Sequence, residues 1–208
     1  MNTIDKLTEI FKKFPGIGPR QAKRFVYFLL TRNDNTLREL SEAILRLKGS
    51  VKMCQSCFRF YAVNGDKNLN NLCNICISSD RDSSLLMIIE RDADLENIER
   101  NNVYKGLYFV LGGSIPVLDR DPYNKIRIRE LLDIISERGS GGFIKEVILA
   151  TGANPDGDNT AVFIKKELDS LKDKYAFKIS VLGRGLSTGT ELEYSDSDTL
   201  RSALENRH

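Results

Sequence analysis

The tightest constraint on this chain is the run Cys54-Gln-Ser-Cys57, fifteen residues, then Cys73-Asn-Ile-Cys76. All four cysteines of the sequence lie in it. Two Cys-x-x-Cys pairs at this separation have the spacing of a four-thiolate metal site. Each pair forms a tight knuckle that aims two sulfurs at one tetrahedral ion. Zinc suits four thiolates, and four protein ligands leave no position for a reactive water. One structural zinc per chain is therefore expected, held by Cys54, Cys57, Cys73 and Cys76. The single histidine is His208, the last residue, so a mixed Cys/His ligand set is not expected. Two disulfides would require an oxidising compartment, and residues 1–5 show no export signal. A redox pair would need one Cys-x-x-Cys, and here there are two. Between the pairs, Phe58 to Val63 reads as a strand running into a turn at Asn64-Gly65, which makes the segment a zinc ribbon.

A chain of 208 residues with 41% hydrophobic content can bury a core and form one or two domains. No apolar run reaches the roughly 18 residues of a membrane span, so a cytoplasmic protein without membrane contact is expected. The net charge of +2 hides an asymmetry. Residues 1–52 hold eleven Lys/Arg against five Asp/Glu, whereas residues 81–208 hold eighteen against twenty-two. A basic head on an acidic body points the head toward a polyanion, although an excess of this size also occurs on ordinary solvated helices.

The head, 1–52, reads as helices. Ile4, Leu7, Ile10, Phe11 and Phe14 recur at helical spacing behind Thr3, a cap candidate. Pro15-Gly-Ile-Gly-Pro19 ends that helix, and Pro19 suits the first turn of a second one that buries Ala22, Phe25, Val26 and Leu29. Thr36-x-x-Glu39 reads as a capping box opening a third helix, with Leu37, Leu40, Ile44 and Leu47 inward. Helix, Pro-Gly-Ile-Gly turn, helix is a helix-hairpin-helix pattern. Gly16 and Gly18 let backbone approach a phosphate, and the N–H groups opening the second helix point at the anion. Arg20, Lys23 and Arg24 add charge-assisted contacts. Such contacts grip backbone without reading bases, so binding of single- or double-stranded DNA should be sequence-independent and salt-sensitive. The bland alternative is a plain helical turn broken by Gly and Pro.

In the body, 81–208, strands are expected at Leu85–Ile89, Leu107–Leu111, Glu146–Ala150 and Phe177–Leu182, with helices at Ile126–Ile135 and Thr160–Leu171 and a polar helical stretch around Leu95 and Ile98. The alternation means a mainly parallel sheet covered by helices, with functional groups at the carboxyl ends of its strands. Glu90 and Asp94 follow the first strand, and Thr151-Gly-Ala-Asn-Pro-Asp156-Gly-Asp158 follows the third. This arrangement resembles the Toprim domain of topoisomerases and primases, whose acids hold magnesium for phosphoryl transfer. The resemblance departs where that family carries Asp-x-Asp, because Gly152 and Asn154 stand there. The remaining acids could hold magnesium only weakly, and they read as partner contacts or solvated loop acids rather than a catalytic cluster. Gly183-Arg-Gly-Leu-Ser-Thr-Gly189 lacks the Gly-Lys-Ser/Thr ending of a phosphate loop, so no ATPase activity is expected.

Taken together, the fold class is a multi-domain α/β protein with a helical head, a four-cysteine ribbon and a Toprim-like body. Phe14-Pro-Gly-Ile-Gly-Pro-Arg20, the cysteine knot, Glu90-x-x-x-Asp94, Gly106-Leu-Tyr-Phe-Val-Leu-Gly-Gly113, Glu146 to Thr151, Arg184-Gly-Leu186 and Leu192-Glu-Tyr194 occur in this order. In that set the chain resembles the RecR family of bacterial recombination mediators over nearly its whole length. The resemblance implies a ring-shaped homo-oligomer, usually a tetramer, that clamps DNA. It also implies partnership with RecO and RecF in loading the recombinase RecA onto gapped strands. It divides the chain into a DNA-binding head at 1–52, a zinc finger at 53–80, a Toprim-like domain at 81–180 and an oligomerisation segment at 181–208. The family's DNA-contacting positions fall on Arg20 and Arg24, its Toprim acids on Glu90 and Asp94, and its partner-contacting loop acids on Asp156 and Asp158. The competing classes are a magnesium-dependent Toprim nuclease or strand-transfer enzyme, and a zinc-ribbon RNA-binding protein.

Overall fold

The computed structural model describes residues 1–63 and 71–183, with Ser197, Thr199 and Arg201 beyond them. Asn64-Gly65, Arg184–Leu186, Leu192–Tyr194 and most of the 181–208 segment lie outside the described residues. The chain divides into two compact units, Met1–Val51 and Lys52–His208.

The first unit holds α1 (Thr3–Phe11), α2 (Pro19–Leu30) and α3 (Asp34–Ser50). Asn2, not Thr3, caps α1: its side chain accepts from the Asp5 amide. Likewise Asn33 caps α3, accepting from both the amide and the hydroxyl of Thr36, so the helix starts ahead of the expected box. In each case an amide side chain one to three residues earlier reaches the open N–H groups first. Helices α1 and α2 pack through Phe11, whose ring lies edge-on to Phe25 at 5.8 Å and to Phe14 at 5.7 Å. Ala22 and Val26 are buried, while Phe25 and Leu29 are half-buried. The expectation for α3 fails. Leu40, Ile44 and Leu47 are exposed and only Leu37 is half-buried, because helical periodicity marks an apolar stripe without supplying a surface to cover it.

The second unit is built on a four-stranded, all-parallel sheet of β3 (Asp82–Ile89), β4 (Gly106–Val110), β5 (Glu146–Ala150) and β6 (Lys178–Val181), in the order β4-β3-β5-β6. Helices α4 (Asp92–Asn101), α5 (Ile128–Ser140) and α6 (Pro155–Tyr175) connect the strands. Phe109, Leu86, Ile88, Val147 and Leu149 form one core with Leu131, Ile135, Ile164 and Leu168 of α5 and α6. Tyr108, Met87 and Ile89 face a second core, which takes in Leu95 of α4 and three of the cysteines. Strand β4 and the second half of β3 are continuously apolar because both of their faces are covered, whereas β5 alternates and β6 is half-exposed. Helix α6 begins at Pro155, five residues before the expected start, since Asn154 caps it by accepting from the Gly157 amide. Asp156 and Asp158 therefore lie in the first turn of a 21-residue helix and not in a loop. The side on which successive strands are added switches at β3, which has β4 on one side and β5 on the other, and the crevice beyond the carboxyl ends of β3 and β5 is the topological switch point.

Among the described residues, no helix is long and apolar enough to cross a membrane.

Candidate metal centre and nucleic-acid interface

The cysteine knot belongs to the second unit. A two-stranded sheet of β1 (Val51–Met53) and β2 (Phe60–Ala62) frames its first knuckle. The strand between the cysteine pairs is shorter than the sequence suggests because Phe58 sits at φ 61°, in the left-handed region that closes the Cys54–Cys57 turn. Packing of its ring on Phe109 at 5.3 Å offsets that strain. The four sulfurs lie within 4.8 Å of one another. Those of Cys57 and Cys73 are 3.6 Å apart, too far for a disulfide and close to the ~3.8 Å edge of a tetrahedron with metal–sulfur bonds of about 2.3 Å. The Cys73 amide donates to the Cys54 sulfur at 3.3 Å, a bond that favours thiolate. Cys54, Cys57 and Cys73 are fully buried. Hydrogen bonding with Cys57 draws the Cys54 thiol far below the ordinary range, and the same bond pushes Cys57 far above it. Four thiolates this close repel one another, so a cation is what lets all four ionise together. Among the described residues this is the cluster of Cys, His, Asp or Glu groups that could hold a metal ion, and its donors fit one.

The hairpin of the first unit follows from its residues. The Ile17 amide donates to the Phe14 carbonyl at 3.1 Å, Pro15 fills the second turn position and Gly16 the third with φ 74°. This is the residue pattern of a type II turn, which demands glycine there. Gly18 is the N-cap of α2, with no side chain over the first-turn amides, and a Cβ on it would meet nothing within 4 Å. Arg20, Lys23 and Arg24 are exposed around this open helix end. Arg24 donates to Gln21 at 3.3 Å, and among the described residues the three make no ion pair. Gly16 thus lies in the turn and Gly18 at the cap of α2, with Arg20 in its first turn and Lys23 and Arg24 in its second.

The four acids of the sheet edge are placed differently. Glu90 is 7% exposed, and its Oε1 accepts from the Gly152 amide at 2.8 Å across the switch point. Asp94 accepts from the Arg91 amide at 2.9 Å, closing the first turn of α4. Asp156 accepts from the Val117 amide at 3.1 Å. Asp158 is exposed two residues further along the first turn of α6. Gly157 packs so tightly on the 152 loop that a Cβ would lie 2.0 Å from the Gly152 carbonyl oxygen.

Two features escaped the sequence reading. Residues 115–119 form a turn stitched to α6 by Thr160, Asn159 and Asp156, with Asp119 N–H on the Pro116 carbonyl, and Leu118 stands 92% exposed at its tip. Arg138 of α5 donates to Ser56, inside the first cysteine pair, at 2.6 Å. Both depend on residues 39 or more positions apart, which no local pattern announces.

The architecture and the site define a multi-domain α/β protein that joins a helix-hairpin-helix unit and a four-cysteine knot to a Toprim domain. Sequence comparison agrees: a Toprim domain model matches residues 84–183, a RecR helix-hairpin-helix model residues 4–48 and a RecR C-terminal model residues 185–208. Proteins named recombination protein RecR align along essentially the entire chain. That of Rickettsia bellii is 38% identical over 99% of this chain and 96% of its own length. That of Bdellovibrio bacteriovorus is 31% identical over 100% and 97%, and that of Prochlorococcus marinus 36% over 98% and 94%. The chain belongs to the RecR family.

Proposed function

We propose that this protein is a non-enzymatic DNA clamp of recombinational repair, which acts with RecO and RecF to load RecA onto gapped or single-stranded DNA. The observation that carries the reading is the open end of α2, where an uncapped helix start and three exposed cations face outward together. Backbone N–H groups and the helix dipole favour an anion there, and the cations extend the grip to neighbouring phosphates. Nothing in this arrangement offers a base-reading pattern, so DNA of any sequence is gripped alike. The proposal extends to a tetrameric ring, RecO docking near Asp156 and Asp158, and one zinc on the four cysteines, a reading that membership of the RecR family supports. Zinc would be held by Cys54, Cys57, Cys73 and Cys76 and would fix the fold of the knot.

Against the nuclease reading stand the jobs already held by the residues at the switch point. Glu90 is engaged by the Gly152 amide, and Asn154 caps α6. The two positions where a catalytic Toprim needs carboxylates thus carry residues spent on structure. The deciding experiment measures RecA filament assembly on gapped DNA coated with single-strand-binding protein, with RecO and RecF present. Stimulation by the wild-type protein and its loss in Arg20→Ala/Arg24→Ala is the expected result. Magnesium-dependent strand cleavage by the protein alone would reverse the reading in favour of the enzyme.

A further inference from the structure

Among the described residues, two buried side-chain donors have no hydrogen-bond partner: the Tyr61 hydroxyl and Nη1 of Arg138. Both adjoin the cysteine knot. Tyr61 lies in the same buried cluster as Cys54, Cys57 and Cys73. Arg138 reaches from α5 to the Ser56 hydroxyl, between the two ligands of the first pair, at 2.6 Å through its other terminal nitrogen. A buried donor left without an acceptor costs free energy, and one that belongs to a charged group, as Nη1 of the half-buried Arg138 does, costs more. Two such costs at one knot point to an acceptor of negative charge that both groups address.

Four thiolates around a divalent ion provide one, because that complex keeps a net charge of about −2. Three of its sulfurs are fully buried, so water does little to stabilise that charge. Among the described residues, the neighbouring cations are engaged elsewhere: Arg127 donates to the Val110 carbonyl at 2.9 Å. Lys52 is exposed and turned to Asn71 at 3.4 Å, and Arg59 lies in a cleft with Glu96, Glu99 and Arg100.

We infer that Arg138 and Tyr61 are the charge-compensating groups of the four-cysteine metal centre, positioned by α5 and β2 to neutralise its excess negative charge and to set its metal affinity. The inference rests on the metal reading of the knot. It also makes the centre a joint property of the knot and the Toprim helix α5, and not of the 53–80 segment alone.

The test is competition for Zn2+ between the full-length protein and a chromophoric chelator at fixed pH. Arg138→Met should weaken zinc binding by about ten- to a hundred-fold, the range seen when groups behind metal ligands are removed. Arg138→Lys, which keeps the charge, should restore most of the affinity. Tyr61→Phe preserves the packing and removes one donor, so it should weaken binding with no change in fold by circular dichroism. In the Co2+-loaded protein the same variant should move the thiolate-to-metal charge-transfer band to lower energy, since an undonated sulfur gives up its electron more readily. If Arg138→Met does not fold, the Tyr61→Phe and Arg138→Lys results decide alone. Wild-type affinity and an unmoved band in Tyr61→Phe, or a loss in Arg138→Lys as deep as in Arg138→Met, would overturn the inference. Absence of bound metal in the wild-type protein would instead overturn the metal reading itself.

Discussion

Glu90 and Gly152, 62 residues apart in sequence, are joined by a 2.8 Å hydrogen bond from the glycine amide to the buried carboxylate. The bond ties the end of β3 to the loop after β5 at the switch point of the sheet. Glu90→Gln keeps an oxygen that accepts the bond and should cost under about 1 kcal/mol, whereas Glu90→Ala orphans the Gly152 amide and should cost about 1–3 kcal/mol. Chemical denaturation of the two variants separates these values. Equal losses would mean that the charge, and not the hydrogen bond, is what the fold uses.

The hairpin prediction concerns salt. Arg20→Ala and Arg24→Ala should each weaken DNA binding on every sequence alike. Each should lower the slope of log affinity against log salt by about 0.9 for a duplex and about 0.7 for a single strand, for every phosphate left without its cation. Fluorescence anisotropy across a salt series reads both numbers. A loss confined to one DNA sequence contradicts a backbone grip.

Asp156 holds the turn that displays Leu118. Asp156→Asn retains an acceptor for the Val117 amide, so the RecO binding proposed for this edge should fall only by the missing charge attraction. Asp156→Ala frees the turn and should fall further, and Asp156→Lys, which also adds repulsion, furthest of all. Calorimetry of RecO titrated into each variant gives the order, while native mass measurement checks that the oligomer is unchanged. Asn and Ala variants that bind equally would show that the turn has no part in docking.

The metal prediction is one zinc per chain by elemental analysis of protein purified under reducing conditions. Cys57→Ser should release it and destabilise the knot, because the binding free energy of a structural metal is folding free energy. The damage should spread to β4, an edge strand whose Val110 amide is bonded to the Cys57 carbonyl at 2.9 Å. Hydrogen exchange at Val110 should therefore accelerate when metal is removed by a chelator.

A pH dependence follows from Glu99. Its carboxylate is ion-paired with Arg81 and accepts from the Tyr108 hydroxyl at 2.6 Å. The Arg81 guanidinium, helped by that hydroxyl, holds Glu99 below the ordinary carboxylate range. A depressed folded pKa means that the unfolded chain takes up the proton first. The contribution is present in full above about pH 4.3 and is lost as pH falls through the lower folded value. Glu99→Gln should lower stability at neutral pH and flatten this part of the acid limb in thermal melts recorded between pH 7 and pH 3.

The sequence determined the elements that depend on neighbours along the chain. Strand Glu146–Ala150 was legible to the residue, because four apolar positions, 147–150, stand between Glu146 and Thr151. The hairpin was legible because Pro15 and Gly16 have one turn to make, and the metal site because ligand spacing in a knuckle is itself local. Only the tertiary structure decided what distant residues settle between them. It buried Glu90 against Gly152, turned Asp156 from a loop acid into the clasp of the Leu118 turn, and set Arg138 against Ser56. It also left Leu40, Ile44 and Leu47 exposed, although their spacing is that of a buried stripe. Periodicity states which side of a helix is apolar. Whether that side is covered depends on surfaces brought up from elsewhere in the chain or beyond it, and no window of sequence carries that information.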